Sequence, residues 1–199
     1  MEQKPPARNI SSLIGRFFKT IFNFLFAGPI FTIFLVLIIL IRIFVAEPFL
    51  VYGSSMEPNF ETGDYLIVDE LTYKFESPKR GDVVVLKPPM DESKHYIKRI
   101  IGLPGDTISV NGSVVVITNK EHPEGFTLNE LYITFQSDRV ANYNLNDNEY
   151  FVMGDNRAVS SDSRIWGPLP SNLITGRALL RILPLKDFGI MPGEVSLPQ

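Results

Sequence analysis

Between Thr20 and Ile41 the chain runs for 22 residues without a charged side chain, and the run is dense in Ile, Leu and Phe. As an α-helix it is about 33 Å long at ~1.5 Å per residue, enough to cross the hydrocarbon core of a bilayer. From Phe31 to Ile41 it is apolar on every face, whereas a helix packed in a soluble domain keeps a polar face. The run is also longer than the apolar core of a cleavable leader. One transmembrane helix over residues 20–42 is expected, with Arg42 snorkelling to the far interface. Charge sets its direction. Residues 1–45 carry Lys4, Arg8, Arg16, Lys19 and Arg42 against Glu2 alone. A basic flank before the run favours a cytoplasmic N-terminus, which puts everything after Arg42 outside. Residues 1–19, polar and then weakly amphipathic, are expected to lie on the cytoplasmic surface of the cell membrane.

The remaining 154 residues carry 14 basic and 21 acidic side chains. That balance offers no electrostatic footprint for nucleic acid. The absence of cysteine rules out disulfides, thiolate nucleophiles and zinc–sulfur sites. Residues 43–199 read as one extracytoplasmic, mostly β domain, a barrel or sandwich. Short runs rich in β-branched and aromatic residues mark strands at Tyr65–Asp69, Asp82–Leu86, Tyr96–Ile101 and Tyr150–Met153. Asn111-Gly112, between two further runs at Thr107–Val110 and Ser113–Thr118, predicts a type I′ hairpin turn. Ala178–Leu183 fits a strand or a short helix. The apolar stretch Ile43–Val51 fits either a surface-seated segment or the first strand. Residues 120–148 are polar, with weak strands near Phe126–Leu128 and Leu131–Phe135, and read as a variable excursion hung on the core.

Few groups can carry chemistry here. His95 and His122 lie in polar surroundings without metal-ligand spacing and read as solvated loop residues. Asp69-Glu70 and Asp91-Glu92 are sequence neighbours whose side chains face apart in extended chain, so they read as surface charges. Three clusters remain. Gly53-Ser54-Ser55-Met56-Glu57-Pro58 is a small-residue turn that can expose a hydroxyl. In Tyr96–Asp106, Lys98 sits among apolar neighbours, where lost solvation favours the neutral amine. Gly154–Arg164 concentrates hydroxyl, carboxylate and guanidinium groups.

Together these clusters resemble the type I signal peptidase family. The resemblance runs through Ser55-Met56 and Pro58, Arg80–Val85, Tyr96–Asp106, and Gly154-Asp155-Asn156-Arg157 with Ser160, Asp162-Ser163-Arg164 and Trp166-Gly167. It covers about Phe44 to Arg181, apart from residues 120–148, with the boxes in order behind a membrane span. It implies a serine endopeptidase with a signal-peptidase-like β catalytic core tethered by one N-terminal transmembrane helix, and no cofactor or metal. Ser55 would be the nucleophile and Lys98 its general base. Ser160 would orient the lysine, Asp162 and Arg164 would form a supporting pair, and the Ser55 N–H would serve the oxyanion hole. Gly53 stands where some relatives carry a second, hydroxyl donor, and Ser54 is the nearby alternative.

The implied partners are exported preproteins and membrane lipid. Signal peptides would be cut after small side chains at positions −1 and −3. Val51, Met56, Phe60, Tyr96 and Ile97 are the expected pocket residues. Two other readings remain open at this point. One is a related Ser–Lys maturation peptidase of conjugative-pilus type. The other is a catalytically dead, membrane-anchored binding domain.

Overall fold

The computed structural model describes residues 16, 19–23, 28–38 and 46–199. The expectations for the cytoplasmic tail, for Arg42 and for residues 43–45 fall outside the described residues. The chain divides into two units, residues 1–43 and 44–199. The first contains an apolar helix over Lys19–Ile38 with mean hydropathy 2.4, long enough to cross a membrane. Its hydroxyls are satisfied internally. Thr20 donates to the Arg16 carbonyl at 2.9 Å and Thr32 to the Gly28 carbonyl at 2.8 Å, the back-bonds a hydroxyl needs where water is absent.

The second unit is mostly β. Its strands are β1 (Ala46–Leu50), β2 (Tyr65–Asp69), β3 (Val83–Leu86), β4 (Tyr96–Gly102), β5 (Thr107–Asn111), β6 (Val114–Thr118), β7 (Phe126–Thr127), β8 (Val140–Asn144), β9 (Glu149–Met153), β10 (Leu169–Pro170), β11 (Ile174–Leu183) and β12 (Gly189–Ile190). They form an eight-stranded sheet, ordered β1-β2-β11-β3-β4-β9-β10 with β12 on β11, and a four-stranded sheet ordered β7-β6-β5-β8. Every pairing is antiparallel. β3 is buried along its whole length, so its sequence is continuously apolar rather than alternating. β5 alternates buried and open positions, as a strand with one face on the core does.

Three sequence expectations resolve differently. The hairpin between β5 and β6 pairs Asn111 with Val114, so Gly112-Ser113 is the loop, and Gly112 alone has positive φ, 63°. The turn is therefore one residue later than Asn111-Gly112 and of the glycine-first kind, because Asn111 is held in the ladder. Residues 120–148 do not hang off the core. They supply β7 and β8, half of the smaller sheet, and bury Leu128, Ala141 and Leu145 beside Ile108 and Ile117. Leu131–Phe135 is not a strand; its backbone bonds go elsewhere, as described below. Ala178–Leu183 belongs to the long strand β11, and Ala46–Leu50 pairs as an edge strand.

Candidate active site

Ser55 lies in the turn that follows β1, and that turn is bounded by backbone requirements. Gly53 has φ +90° with open space where a side chain would point. The left-handed backbone therefore selects glycine there, and a serine at 53 would be strained. Across the site, Gly154 follows β9. A Cβ on it would come within 2.3 Å of both the Ser55 carbonyl oxygen and the Ser160 hydroxyl. Only glycine lets these two loops approach so closely.

Lys98 reaches Ser55 from β4. Its Nζ donates to Ser55 Oγ at 2.7 Å and to the Ile97 carbonyl at 2.7 Å, and it lies 5.2 Å from the centre of the Tyr96 ring. The residue is 3% exposed. Burial pulls its pKa down to about 8. The Asp162 and Asp155 carboxylates oppose that fall, and the Arg164 guanidinium adds to it. No carboxylate neighbours Lys98 in sequence; the two that act on it are brought by folding. Arg99, adjacent in sequence, spends its charge on Asp155 through two bonds of 2.8 and 2.6 Å.

The supporting pair is present. Asp162 caps the short helix Ser163–Trp166 and binds Arg164 through both oxygens, at 2.8 and 2.7 Å. It also accepts the Gly154 N–H at 3.0 Å. Burial alone would raise this carboxyl, and the Arg164 bonds outweigh it, holding the pKa below the usual carboxylate range. Ser160 differs from the role the resemblance gave it. Its hydroxyl is buried beside the Asp162 carboxylate and is not among the hydrogen-bond partners of Lys98.

The Ser55 backbone is gripped by residues that sequence reading left without a role. The Ser55 carbonyl accepts from the Asn156 N–H at 3.1 Å. Asn59 donates to Asp155 at 2.9 Å, and the Asp155 N–H points at the Met56 sulfur, 3.4 Å away. Asp155 had a signal, since it sits in the Gly154–Arg164 cluster. Asn59 and Glu130, which joins the network below, had none.

A cleft of about 370 Å³ opens beside the dyad. Of the expected pocket residues, Val51, Tyr96 and Ile97 line it. Met56 and Phe60 do not; at 1% and 0% exposed they are core beneath the cleft, packed with Leu66 and Val83. The turn at Ser55 curls inward after β1 and buries them. The wall includes His95, whose ring lies tilted against Phe49 with centres 5.3 Å apart, together with Val159 and Ser161. His95 is an exposed loop residue, as the sequence reading expected, and folding brings it against Phe49 of β1. Asp69, read as a surface charge, is instead buried, where it accepts the Leu71 and Thr72 N–H groups at 2.9 and 3.0 Å. Among the described residues, no group of three or more His, Asp or Glu could hold a metal ion.

A serine hydroxyl in contact with a buried amine of lowered pKa, on a mostly β scaffold, is the arrangement of a serine hydrolase that works without histidine. Residues 25–183 match the family model for signal peptidase, peptidase S26, and the chain belongs to that family. It is 40% identical to the probable signal peptidase I-1 of Synechocystis sp. over 177 residues, 85% of this chain and 88% of that one. It is 38% identical to the signal peptidase I of Leptolyngbya laminosa, covering 75% and 74% of the two chains. Against signal peptidase IB of Staphylococcus aureus the identity is 31%, covering 77% and 86%.

Proposed function

We propose that this protein is a membrane-bound serine endopeptidase that removes signal peptides from exported preproteins, with Ser55 as nucleophile and Lys98 as general base. The observation that carries the assignment is the 2.7 Å contact from Lys98 Nζ to Ser55 Oγ inside a buried site. The neutral amine takes the serine proton as Oγ attacks the scissile carbonyl, then delivers it to the leaving amine. Water, deprotonated by the same amine, releases the acyl group from Ser55. The Ser55 N–H binds the developing oxyanion in this reading, and the bond from the Asn156 N–H to the Ser55 carbonyl helps to hold the turn in which it lies.

Substrate geometry follows from unpaired edges. Among the described residues β1 pairs only with β2, and β4 meets β9 only from Arg99 onward, which leaves residues 96–98 without a strand partner on that side. An extended peptide fits between these edges. The apolar walls at Val51, Ile97, Leu66 and Val85 favour small side chains near the cut.

Orientation and lipid contact belong to the same reading. The basic flank at Lys4, Arg8, Arg16 and Lys19 favours a cytoplasmic N-terminus and an external catalytic domain. Leu66 and Val68 face the core, yet the opposite face is apolar too. Register aligns Leu50, Tyr65 and Leu183 in one row and Pro48, Ile67, Leu180 and Ile190 in the next. Ile190 and Leu185 are 74% and 76% exposed. Such a surface, a few residues after a membrane helix, suits the lipid interface.

The function is tested by incubating the solubilised full-length protein with a preprotein and sequencing the new N-terminus. A cut after a small residue at the end of the signal peptide is expected; an intact preprotein would refute the assignment. Because the chain lacks cysteine, Lys120→Cys and Leu185→Cys test the topology cleanly. An impermeant thiol reagent added to intact spheroplasts should label position 120 and spare position 185. Protection of 120 would reverse the orientation, and equal labelling would remove the lipid contact.

A further inference from the structure

Residues 128–139 link β7 to β8, and within them Glu130–Phe135 packs against the loop that carries Asp155–Arg157. The Glu130 side chain is 4% exposed and that of Arg157 1%. A carboxylate so deeply placed must be fully paired. Arg157 donates to it through both terminal nitrogens, one bond being 2.8 Å, and the Tyr132 hydroxyl donates at 2.6 Å. The backbone of the same stretch is also engaged. The Phe135 carbonyl accepts the Arg157 N–H at 3.0 Å, and the Tyr132 carbonyl accepts Asn59 Nδ2 at 2.9 Å. The Tyr132 ring packs on the Arg99 guanidinium, 4.3 Å from the ring centre.

Each group held in this way leads to the nucleophile. Arg157 Nε donates to the Gly154 carbonyl at 3.0 Å, Asn59 and Arg99 both bind Asp155, and Asn156, between Asp155 and Arg157, grips the Ser55 carbonyl. Neither Glu130 nor Tyr132 lines the cleft. Their influence on the reaction therefore runs through the Ser55 backbone and not through substrate contact.

We infer that Glu130 and Tyr132 are positioning residues that hold the Ser55 peptide so that its hydroxyl meets Lys98 and its N–H meets the substrate carbonyl. The inference rests on the dyad proposed above. The physical reason is geometric. The bond from Asn156 to Ser55 sets the plane of the peptide after the nucleophile, and a misplacement of about 1 Å can lower a rate by about a hundredfold. Without Glu130, the buried Arg157 charge must seek solvent or another carboxylate, and it carries its loop with it.

The test measures kcat, KM and Tm on solubilised full-length protein. Glu130→Gln keeps the shape and removes the charge, and should lower kcat by about tenfold; Glu130→Ala should lower it by about a hundredfold. KM should stay within about twofold, since the cleft wall is untouched. Tyr132→Phe, which removes only the hydroxyl, should lower kcat a few-fold. Ile117→Ala, in the apolar core of the same small sheet, is the control: it should lower Tm comparably and leave kcat per folded molecule unchanged. If Glu130 and Tyr132 variants lose Tm but keep kcat, the stretch is only a structural clasp and the inference fails. If Glu130→Ala does not fold, Glu130→Gln and Tyr132→Phe decide by the same criterion. Ser55→Ala keeps the two readings apart. An active Ser55→Ala would overturn the dyad, whereas a dead one beside unimpaired Glu130 variants would overturn this inference alone.

Discussion

Two interior regions of the domain bury opposite kinds of side chain. The core shared by the small sheet and the backs of β4 and β9 is entirely apolar, with Ile101, Ile108, Val110, Val115, Ile117 and Phe151 at its centre. The region around Ser55 buries Lys98, Arg99, Asp155, Arg157, Asp162 and Arg164. In the first, stability scales with apolar area removed from water, and each methylene counts for about 0.8 kcal/mol. In the second, every charge but one is cancelled by a partner at hydrogen-bond distance: Arg99 by Asp155, Arg157 by Glu130, Arg164 by Asp162. Lys98 alone has no carboxylate in contact and hydrogen-bonds a serine and a carbonyl instead. The difference teaches where function sits. The unpaired buried cation is tolerable because it can shed its proton, and the amine left behind is the base in the function proposed above.

The comparison breaks most completely at the dyad. Ser55→Ala and Lys98→Ala should each abolish preprotein cleavage, by about 10⁴-fold or more, while leaving folded protein by circular dichroism. Lys98→Arg should be equally inactive, because a guanidinium keeps its proton. Normal turnover by Lys98→Arg would exclude Lys98 as the base.

Next comes the paired interior. Asp155→Ala strands the Arg99 charge and should destabilise the domain by about 3–5 kcal/mol, measured by chemical denaturation. A loss below about 1 kcal/mol would mean that the Arg99 pair is solvated after all.

The lysine gives the sharpest contrast, because its removal should stabilise. Lys98 titrates at about 8 in the fold and near 10.5 when exposed. Between those values the unfolded chain binds more protons, so stability rises with pH across about 8 to 10.5. Below pH 8 the whole penalty is present, up to about 3 kcal/mol. Lys98→Met should therefore raise Tm at pH 7 and remove the rise between pH 8 and 10.5. A Tm below that of the wild type at pH 7 would show that the amine is not held at a penalty.

The same ionisation shapes catalysis. Activity should increase about tenfold from pH 7 to pH 9 with a midpoint near 8, as the neutral amine becomes the major form. The profile should survive in a His95→Ala, His122→Ala double variant. Loss of the rise there would make a histidine the base. The smallest effect belongs to the apolar core. Ile117→Val should cost about 1 kcal/mol and leave kcat/KM unchanged, and a large loss of activity would mean that the small sheet steers the site more widely than through Glu130 and Tyr132.

Much of this was legible in the residues. The apolar run, the strand-forming segments and the Ser55, Lys98 and Asp162-Arg164 cluster were visible because strand period, membrane length and local charge density are properties of neighbours in sequence. The failures share one cause. Met56 and Phe60 read as pocket residues because they are apolar and close to Ser55, but the turn direction buries them. His95 is the exposed loop residue it read as, but its contact with Phe49, 46 positions away, was not legible. The packing of Ser160 beside Asp162 was not visible in chain order either.

By itself the sequence determined an apolar segment long enough to cross a membrane, a β-rich domain and the chemical types of the groups at the candidate site. Tertiary structure alone decided the pKa of Lys98, the pairing of each buried charge and the grip of Asn156 on Ser55. Residue identity sets what a group can do, but desolvation and Coulomb energy depend on distances in space, and chain order does not supply those distances until the sheets have packed.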